Sequence, residues 1–340
     1  MAAKIDEPFY LSKNRGYLTA VPADDFLHPQ ANKEVAHDSL SETQYFGFSI
    51  PEERIHGLTY CWHHPNLGVV SGGVWVWRGI KPDALDSEMF DYRTYMSDKP
   101  LANDLKTYRL DNGYGVDIIE PLKRHHVTYE DVKRGNAIDL EYRALAPPAL
   151  WQNGRHFDQA MKVQGEISLL GTRYKVNGYN IRDRSWGKPR AEDHLGTPPV
   201  VWMTGVFSDE FFFCCTAIDD PSLGPDWATI YPNFPTGNST IGGWIHKDGE
   251  MTDVEYVRKK TFRNAQTLIP EKVQLSILDV KGRTFELEAD IPAASIFSPW
   301  QNCEIPICQA KWVFKGQIGY GDFQELQLHD FRRGMRAKKI

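Results

Sequence analysis

The sequence contains no run that approaches the roughly 18 consecutive apolar residues a membrane-spanning helix needs. Its first residues, Met1–Pro8, also lack the apolar segment of a secretory signal. We therefore expect no membrane span and a cytoplasmic location. A net charge of −6 gives the chain no electrostatic reason to bind nucleic acid. Nothing in the composition specifies an oligomeric state.

Patterns for disulfides and metal sites are also missing. The five cysteines are odd in number and none lies in a Cys-x-x-Cys pair, so neither a disulfide scaffold nor a zinc ribbon is indicated, and we expect reduced thiols. The two histidine pairs, His63-His64 and His125-His126, lie in predicted strands. Adjacent side chains of a strand face opposite ways, so each pair offers one ligand to any one site. We expect no bound metal.

The sequence motifs of several large enzyme classes do not occur. There is no Gly-x-Ser-x-Gly elbow, no phosphate-binding loop and no dinucleotide fingerprint. This excludes the hydrolase, nucleotide-dependent and hydride-transfer mechanisms that depend on those motifs. We expect no cofactor.

Short alternating strands are what the sequence does contain. They recur about every 10 residues between Gly, Pro and Asn-Gly turns, and almost no window has helical period, which is typical of antiparallel β-sandwiches or barrels. The aromatic content of 12% suits wide barrels. The predicted strands are 44–50, 55–63, 68–77, 105–110, 115–120, 126–129, 137–144, 157–169, 174–181, 200–207, 210–218, 241–247, 253–262, 272–278, 284–291, 309–315 and 317–329. We predict an all-β protein.

The length of 340 residues favours two domains. Residues 1–40 are irregular and predict an N-terminal arm with little chemistry. A stretch with three prolines, 184–199, has the composition of a linker. We therefore predict an N-terminal domain over 41–187 and a C-terminal domain over 188–340.

The stretch Gly178–Gly187 places ionic side chains between apolar residues. In a strand, Asp183 and Ser185 share one face while Arg182 and Arg184 share the other. A carboxylate beside apolar surface is either held by an arginine or poised to give up a proton. Two interpretations remain open: Asp183 is a catalytic acid, or it forms a structural ion pair with Arg182, Arg184 or Arg190.

Several segments together resemble a known superfamily. They are Phe157-Asp158-Gln159, Val163-x-Gly165, Gly171-x-x-Tyr174-x-Val176-x-Gly178, Arg182-Asp183-Arg184-Ser185-Trp186-Gly187 and, more weakly, Gly319-x-Gly321-x-x-x-Glu325. They resemble the lipocalin-like superfamily that includes carotenoid 1,2-hydratase (hydroxyneurosporene synthase), AttH-like proteins, kievitone hydratase and the decalin-forming Diels-Alderases.

The resemblance implies two tandem lipocalin-like β-barrel domains with a hydrophobic ligand in a pocket where they meet, and no cofactor. In the hydratases an acidic residue is thought to protonate an alkene before water adds, and Asp183 is the matching residue. The sequence departs from the superfamily at Arg184, where histidine is frequent. A cation beside Asp183 would hold it ionised, so Arg184 must point to the opposite face for the acid to work.

We therefore predict a cofactor-independent hydratase, dehydratase or isomerase acting on a terpenoid-like or prenylated aromatic substrate. Asp183 would donate the proton, and Ser185, His63 or His64 would position water. The predicted substrate-binding residues are Tyr45, Trp62, Trp75, Trp186, Trp202 and Glu325, although Trp186 also suits a packing anchor and Glu325 an exposed position. A cyclase that only folds a polyene and a non-catalytic carrier of a hydrophobic ligand are the alternatives.

Overall fold

The structure is a computed structural model that describes residues 16–35, 37–189, 197–223, 226–232, 234 and 239–337. The first 15 residues of the predicted arm, and residues 190–196 of the predicted linker with Arg190, lie outside the described residues. The chain divides into two compact units. The first contains the described residues of Tyr17–Ala191 with Ala293–Ser295, and the second those of Glu192–Pro292 and Ile296–Ile340.

Antiparallel strands dominate both units, as the alternating sequence predicts. They are β1 (Tyr17–Thr19), β2 (Leu40–Ile50), β3 (Ile55–His64), β4 (Val69–Arg78), β5 (Ile80–Lys81), β6 (Met89–Ser97), β7 (Thr107–Arg109), β8 (Gly115–Glu120), β9 (Arg124–Asp131), β10 (Asn136–Ala144), β11 (Ala149–Trp151), β12 (His156–Leu169), β13 (Thr172–Pro189), β14 (Val200–Ser208), β15 (Phe211–Ala217), β16 (Thr240–Lys247), β17 (Glu250–Arg263), β18 (Pro270–Asp279), β19 (Thr284–Trp300), β20 (Cys303–Phe314) and β21 (Gln317–Leu328).

Helices are short and few in the described residues. The α-helices are α1 (Pro29–Lys33), α2 (Asp226–Ile230) and α3 (His329–Ala337). Four 3₁₀ turns are Pro22–Asp25, Pro51–Glu53, Ala84–Asp86 and Lys99–Asn103. None of these helices is long and apolar enough to cross a lipid bilayer.

The first unit is a curled half-barrel sheet. Its strand order is β6-β4-β3-β2-β13-β12-β10-β9-β8-β7, with β11 beside β12 and β1 beside β11. One face of this sheet buries the main hydrophobic core, which includes Phe46, Phe48, Tyr142 and Val163. These residues alternate with others along each strand because side chains of a strand point to the two faces in turn.

The second unit is a closed eight-stranded barrel. Its order is β18-β17-β16-β15-β14-β21-β20-β19, and β18 also pairs with β19, which closes the ring. Residues Ala294 and Ser295 of β19 pair in parallel with β5 and belong to the first unit. The predicted fold class, two tandem lipocalin-like β domains, is confirmed.

The hairpin of β12 and β13 carries the stretch singled out in the sequence. Leu170 and Gly171 form its two-residue turn with φ of 51° and 84°, the left-handed region that glycine adopts readily. Pairing continues from Leu169 and Thr172 to His156 and Ser185. The pairing of β13 with β2 is interrupted by a bulge between Ser185 and Lys188. Pairing with β12 on one side and β2 on the other thus fixes the position of Asp183.

Candidate functional site

Arg182 lies on the core face of β13, fully buried. Its Nη1 donates to Asp25 Oδ1 at 2.8 Å and its Nε donates to Gln159 Oε1 at 2.9 Å. Asp25 also lies 2.9 Å from the ring nitrogen Nε2 of His125 and accepts from the Leu122 backbone N–H. Burial alone would raise the pKa of Asp25, but the charge of Arg182 and the His125 contact hold it well below its usual range. Arg182 therefore has a carboxylate partner other than Asp183.

Arg184 lies on the same core face and is also buried. It donates to Glu42 Oε2 at 3.1 Å, to the Thr43 carbonyl at 3.0 Å and to the Phe26 carbonyl. Burial raises the pKa of Glu42, but the hydrogen bond with His28 and the charge of Arg184 outweigh it and lower the pKa to about 2. The condition set by the sequence is met, because Arg184 points away from the face that carries Asp183.

The N-terminal arm contributes to both arginine sites. Asp25 and Phe26 supply the contacts above, and His28 donates its backbone N–H to Glu42 at 2.8 Å. Asn32 Nδ2 donates to the same carboxylate at 2.7 Å. The described part of the arm was expected to pack on a domain with little chemistry, and it supplies ion-pair partners that its scattered charges did not indicate.

Asp183 lies on the opposite face of the sheet, half-buried. Strand pairing places it directly between Tyr45 on β2 and Asp158 on β12, and Tyr45 is in turn paired with Tyr60 on β3. Residues opposed across antiparallel strands share a face, with Cα atoms about 4.5–5.5 Å apart. Asp183 is therefore flanked by a phenol ring on one side and a second carboxylate on the other.

Asp158 is fully buried, and its carboxylate has two close contacts. Trp151 Nε1 donates to Oδ2 at 2.9 Å, and His156 Nε2 lies 3.3 Å from Oδ1. The His156 side chain is partly exposed. The pair of Asp158 and Asp183 is thus connected to a titratable imidazole near the surface.

Two hydroxyl groups lie two residues along the strands from Asp183 and Tyr45. Ser185 is paired with Thr43 of β2, and their side-chain oxygens lie 2.7 Å apart. Thr43 is in turn opposite Trp62 of β3. Two hydroxyl groups beside a carboxylate can orient a water molecule, since each can donate and accept.

Aromatic side chains cover the rest of this face, which we call the aromatic face: Tyr45, Tyr60, Trp62, Trp75 and Trp77, with Asp183, Asp158, Ser185 and Thr43. Ring centroids of Tyr45 and Tyr60 are 6.3 Å apart, and those of Tyr60 and Trp62 are 6.4 Å apart, both edge to face. Trp75 contacts Trp77 at 5.1 Å and donates from Nε1 to Ser87 Oγ at 2.8 Å. Faces of such rings can stabilise a neighbouring cation.

The two candidate histidines lie on different faces of β3. His64 is half-buried on the aromatic face, 5.0 Å from the Trp62 ring. It is two strands and four residues from Asp183, about 16 Å in an ideal sheet, too far for direct proton exchange. His63 lies on the core face, with Nε2 3.1 Å from Asp98 Oδ2.

Trp186 is in a separate cluster from Asp183. Its ring stacks on His28 at 3.8 Å with an interplanar angle of 2° and packs with Phe157, Leu122 and Leu150. It lies on the same side of β13 as the arginines. This environment is that of a packing anchor, the second interpretation of Trp186.

The last two predicted binding residues belong to the second unit. Trp202 is half-buried on β14, opposite Thr216 and Gln324. Glu325 is fully buried and accepts from Arg263 Nε at 2.8 Å and from Gln327 Nε2 at 2.6 Å. Asp219 accepts from the same arginine at 2.6 Å and also pairs with Lys259. Glu325 therefore belongs to an internal ion network and is not at an exposed position.

Asp158 is the site residue that sequence reasoning missed, although a signal was present. The turn at Leu170-Gly171 fixes the register of the hairpin. Asp158 is eleven residues before Leu169, and Asp183 is eleven residues after Thr172, so the two carboxylates must face each other.

Thiol and metal chemistry find little support in the described residues. All five cysteines are buried and unbridged, and burial raises the pKa of Cys215 to about 12. No group of three or more His, Cys, Asp or Glu side chains in the described ranges is arranged to hold a metal ion.

Comparison with known proteins gives one family match. The model of a family described as a domain of unknown function, DUF7064, matches residues 21–329. A search of curated proteins finds no match.

Three solved structures share the fold at low sequence identity. A protein assigned as an AttH from Nitrosomonas europaea is 13% identical with a TM-score of 0.50, over 91% of this chain and 98% of that one. Kievitone hydratase from Nectria haematococca is 12% identical with a TM-score of 0.51, over 94% and 98%. The Diels-Alderase CghA is 12% identical with a TM-score of 0.55, over 86% and 89%. The predicted resemblance to the lipocalin-like AttH superfamily is confirmed at the level of the fold.

Proposed function

Because this chain belongs to the DUF7064 family and shares its fold with a hydratase and a Diels-Alderase, we propose that it is a cofactor-independent enzyme of hydrophobic alkene substrates. The reaction is hydration, dehydration or isomerisation, and the substrate is terpenoid-like or a prenylated aromatic. Asp183 is the proton donor. The proposed site is the part of the aromatic face around Asp183, where Asp183 and Tyr60 are half-buried.

One observation carries this proposal. Along β13, Asp183 lies between Tyr45 and a second carboxylate, Asp158, whereas both neighbouring arginines face the core and bind Asp25 and Glu42. A carboxylate held by an arginine stays ionised and cannot act as an acid near neutral pH. Two opposed carboxylates repel each other when both are charged. We propose that Asp183 is the protonated member of this pair during turnover.

In the proposed hydration, Asp183 donates one proton and receives one back, so the enzyme ends in its starting protonation state. Protonated Asp183 transfers its proton to one alkene carbon and becomes a carboxylate, and the neighbouring carbon becomes a cation. A water molecule held by Ser185 and Thr43 then forms the C–O bond and returns one proton to Asp183. Loss of a proton from a different carbon gives isomerisation, and the reverse sequence gives dehydration.

The aromatic rings stabilise the intermediate. Tyr45 is adjacent to Asp183 in the sheet, and Tyr60 and Trp62 follow it at ring distances near 6 Å. Their ring faces attract positive charge, worth about 2 kcal/mol or more each where water is excluded. A dry aromatic surface with one acid is what cation formation requires.

The test uses solvent deuterium, because protonation from Asp183 introduces a solvent-derived hydrogen into carbon. The protein is incubated in D₂O with a panel of terpenoid and prenylated aromatic alkenes, and products are examined by mass spectrometry. We expect a deuterated product, and Asp183→Asn should reduce its formation by about 100-fold or more. Asp158→Asn should lower the rate and move its pH dependence.

The matched control is Asp139→Asn, an exposed carboxylate on β10 that contacts His126. It should retain full activity. Unchanged turnover in Asp183→Asn would contradict the proposal. A lower melting temperature with unchanged turnover would assign Asp183 a structural role instead.

A cyclase is the second candidate, favoured by the likeness in fold to CghA and by the number of aromatic side chains on one face. Such an enzyme folds a polyene without an essential acid. It would convert substrate without incorporating deuterium, tolerate Asp183→Asn and lose activity gradually as Tyr45, Trp62 and Trp75 are replaced in turn. A carrier would release its bound compound unchanged after long incubation.

A further inference from the structure

A cavity lies in the second unit, at one end of the closed barrel. Its volume is about 450 Å³, within the roughly 300–1,000 Å³ of small-molecule sites. It is formed where the β16–β17, β18–β19 and β20–β21 connections meet, and its lining includes Lys247, Arg283, Lys315, Phe285 and Phe314. None of these residues takes part in the site proposed above.

Phe285 and Phe314 line the floor of this cavity, and Phe211 and Phe207 pack against them without lining it. Phe207 and Phe211 are stacked at 4.5 Å, and Phe314 lies 5.1 Å from Phe211 and 5.8 Å from Phe285. Ring clusters of this geometry favour a further planar ring. The floor therefore suits an aromatic ligand better than a flexible chain.

Three cations are held over these rings. Lys247 Nζ lies 5.0 Å from the Phe211 ring, Arg283 Cζ 5.8 Å from Phe285, and Lys315 Nζ 5.3 Å from Phe314. The contacts are cation–π interactions, which fix the charges at the rim. Arg283 is further held by the buried Asp279, 2.7 Å from its Nε.

The positive charge at the rim is only partly compensated. Asp248 is the one carboxylate among the residues that line the cavity, and it is exposed and 3.3 Å from Lys247. In the part of the chain that the structure describes, Lys315 has no carboxylate within 4.0 Å. Lys247 is thus paired with Asp248 and Arg283 with Asp279, which leaves Lys315 as the rim cation without a carboxylate partner in the described residues.

A tight hairpin turn places Lys315 at the rim. Lys315 has a φ of 48° and Gly316 a φ of 81°, a two-residue hairpin turn in which Asn, Asp or Gly is preferred at the first position. The turn Asp248-Gly249 on the same rim follows that preference, with φ of 55° and 81°. The two turns present Lys247 and Lys315 at the same rim.

We propose that this barrel mouth binds a small aromatic carboxylate. The ring of the ligand packs on the phenylalanine floor, and its carboxylate pairs with Lys315, Lys247 and the exposed edge of the Arg283 guanidinium. Binding is non-covalent and independent of the reaction assigned to Asp183.

Titration calorimetry with 2-naphthoate at low salt tests the site. We expect binding to the intact protein that weakens as salt is raised from about 50 to 500 mM, since the rim charges are accessible to solvent. Lys315→Gln should weaken binding about three- to fivefold, and the double variant with Lys247→Gln should weaken it further. The neutral analogue 2-naphthamide should bind much less.

The matched control is Lys260→Gln, because Lys260 makes the same kind of contact with Phe262, at 4.9 Å, outside the cavity. It should keep the affinity of the unmodified protein. Equal affinity in Lys315→Gln, equal binding of the amide, or no binding of 2-naphthoate at all would overturn the proposal and leave the lysines as a cover for the barrel end. Melting curves identify any variant that fails to fold. If the double variant fails to fold, the single variant Lys315→Gln still tests the proposal.

Discussion

At the scale of single residues, strand alternation places Arg182 and Arg184 on the core face of β13 and Asp183 on the opposite face. The arginines are structural, because each neutralises a carboxylate that burial would otherwise make costly. Asp183 lies on the opposite face of β13, between Tyr45 and Asp158. The same three residues thus stabilise the first unit and offer it a candidate acid.

Arg182→Gln should destabilise the first unit by about 3–5 kcal/mol, because it leaves Asp25 buried without its cation. Urea unfolding followed by tryptophan fluorescence measures the change. The control is Arg173→Gln, an exposed arginine 3.5 Å from Glu166 on the same hairpin, which should cost under about 1 kcal/mol. The double variant Asp25→Asn/Arg182→Gln should be less destabilised than the single one. Equal stability of Arg182→Gln and the control would contradict the role given to the ion pair.

At the scale of secondary structure, two glycines within the strands of the β12–β13 hairpin, Gly165 and Gly178, differ in whether a side chain could replace them. Gly165 has a φ of 143°, and a Cβ built there would lie 2.1 Å from the Asp139 carbonyl oxygen. Gly178 has an ordinary φ, and its nearest neighbour would be 3.8 Å away. Only the first position demands glycine.

Gly165→Ala should therefore destabilise the protein by roughly 2–4 kcal/mol through backbone strain and displacement of β10. Gly178→Ala should be neutral or stabilise by about 0.4–1 kcal/mol, since alanine reduces the freedom of the unfolded chain. Thermal melts of the two variants compare them directly. A similar melting temperature for both would show that the sheet shifts to accept the methyl group.

Strand prediction succeeded where one face is buried and failed where it is not. Strand β6, Met89–Ser97, was missed because it is an edge strand with mostly exposed or half-buried side chains, so its apolar residues do not alternate cleanly. The helix α3, His329–Ala337, was not predicted: the last predicted strand ended at His329, and with Phe331 as its only buried residue the helix has no apolar helical period. Strand β13 extends to Pro189, well beyond the predicted end at 181, because tertiary pairing with β2 sustains it.

The candidate site was recoverable from sequence only in part. Alternation along β13 correctly separated Asp183 from its arginines, since that depends on local geometry alone. The partners Asp25 and Glu42 could not be predicted from the sequence. They are separated from Arg182 and Arg184 by 157 and 142 positions along the chain. Periodicity carries no information about such distant contacts.

At the scale of the molecule, each unit contains a buried ion network that depends on ionised carboxylates. The pKa of Glu42 in the first unit and that of Asp219 in the second are both lowered to about 2 from ordinary values of 4.5 and 3.8. For Asp219, burial alone would raise the pKa, and the charges of Arg263 and Lys259 lower it. Carboxyl groups with lowered pKa stabilise the folded state above their unfolded pKa.

The contribution of these carboxylates to the free energy of unfolding should therefore be constant above about pH 5. It should fall as the pH decreases from 4.5 towards 2. Glu42 alone accounts for about 3 kcal/mol of that loss. Urea midpoints at pH 7, 4 and 3 measure it. Glu42→Gln should be less stable at pH 7 but lose less on acidification, whereas the exposed control Glu130→Gln should follow the unmodified protein. A steeper or unchanged pH slope for Glu42→Gln would contradict the assignment.

The closure of one sheet and not the other decides where aggregation can begin. Among the described strands, the barrel has no unpaired edge because β18 pairs with β19, whereas the half-barrel sheet ends at β6 and β7. An unpaired edge is a template for a strand from another molecule. Strand β6 carries Asp91 and Arg93, a left-handed Tyr95 with φ of 57° and an irregular register with β4. These features interrupt the ladder and protect the open edge, so substitutions that straighten β6 should promote aggregation of the folded protein.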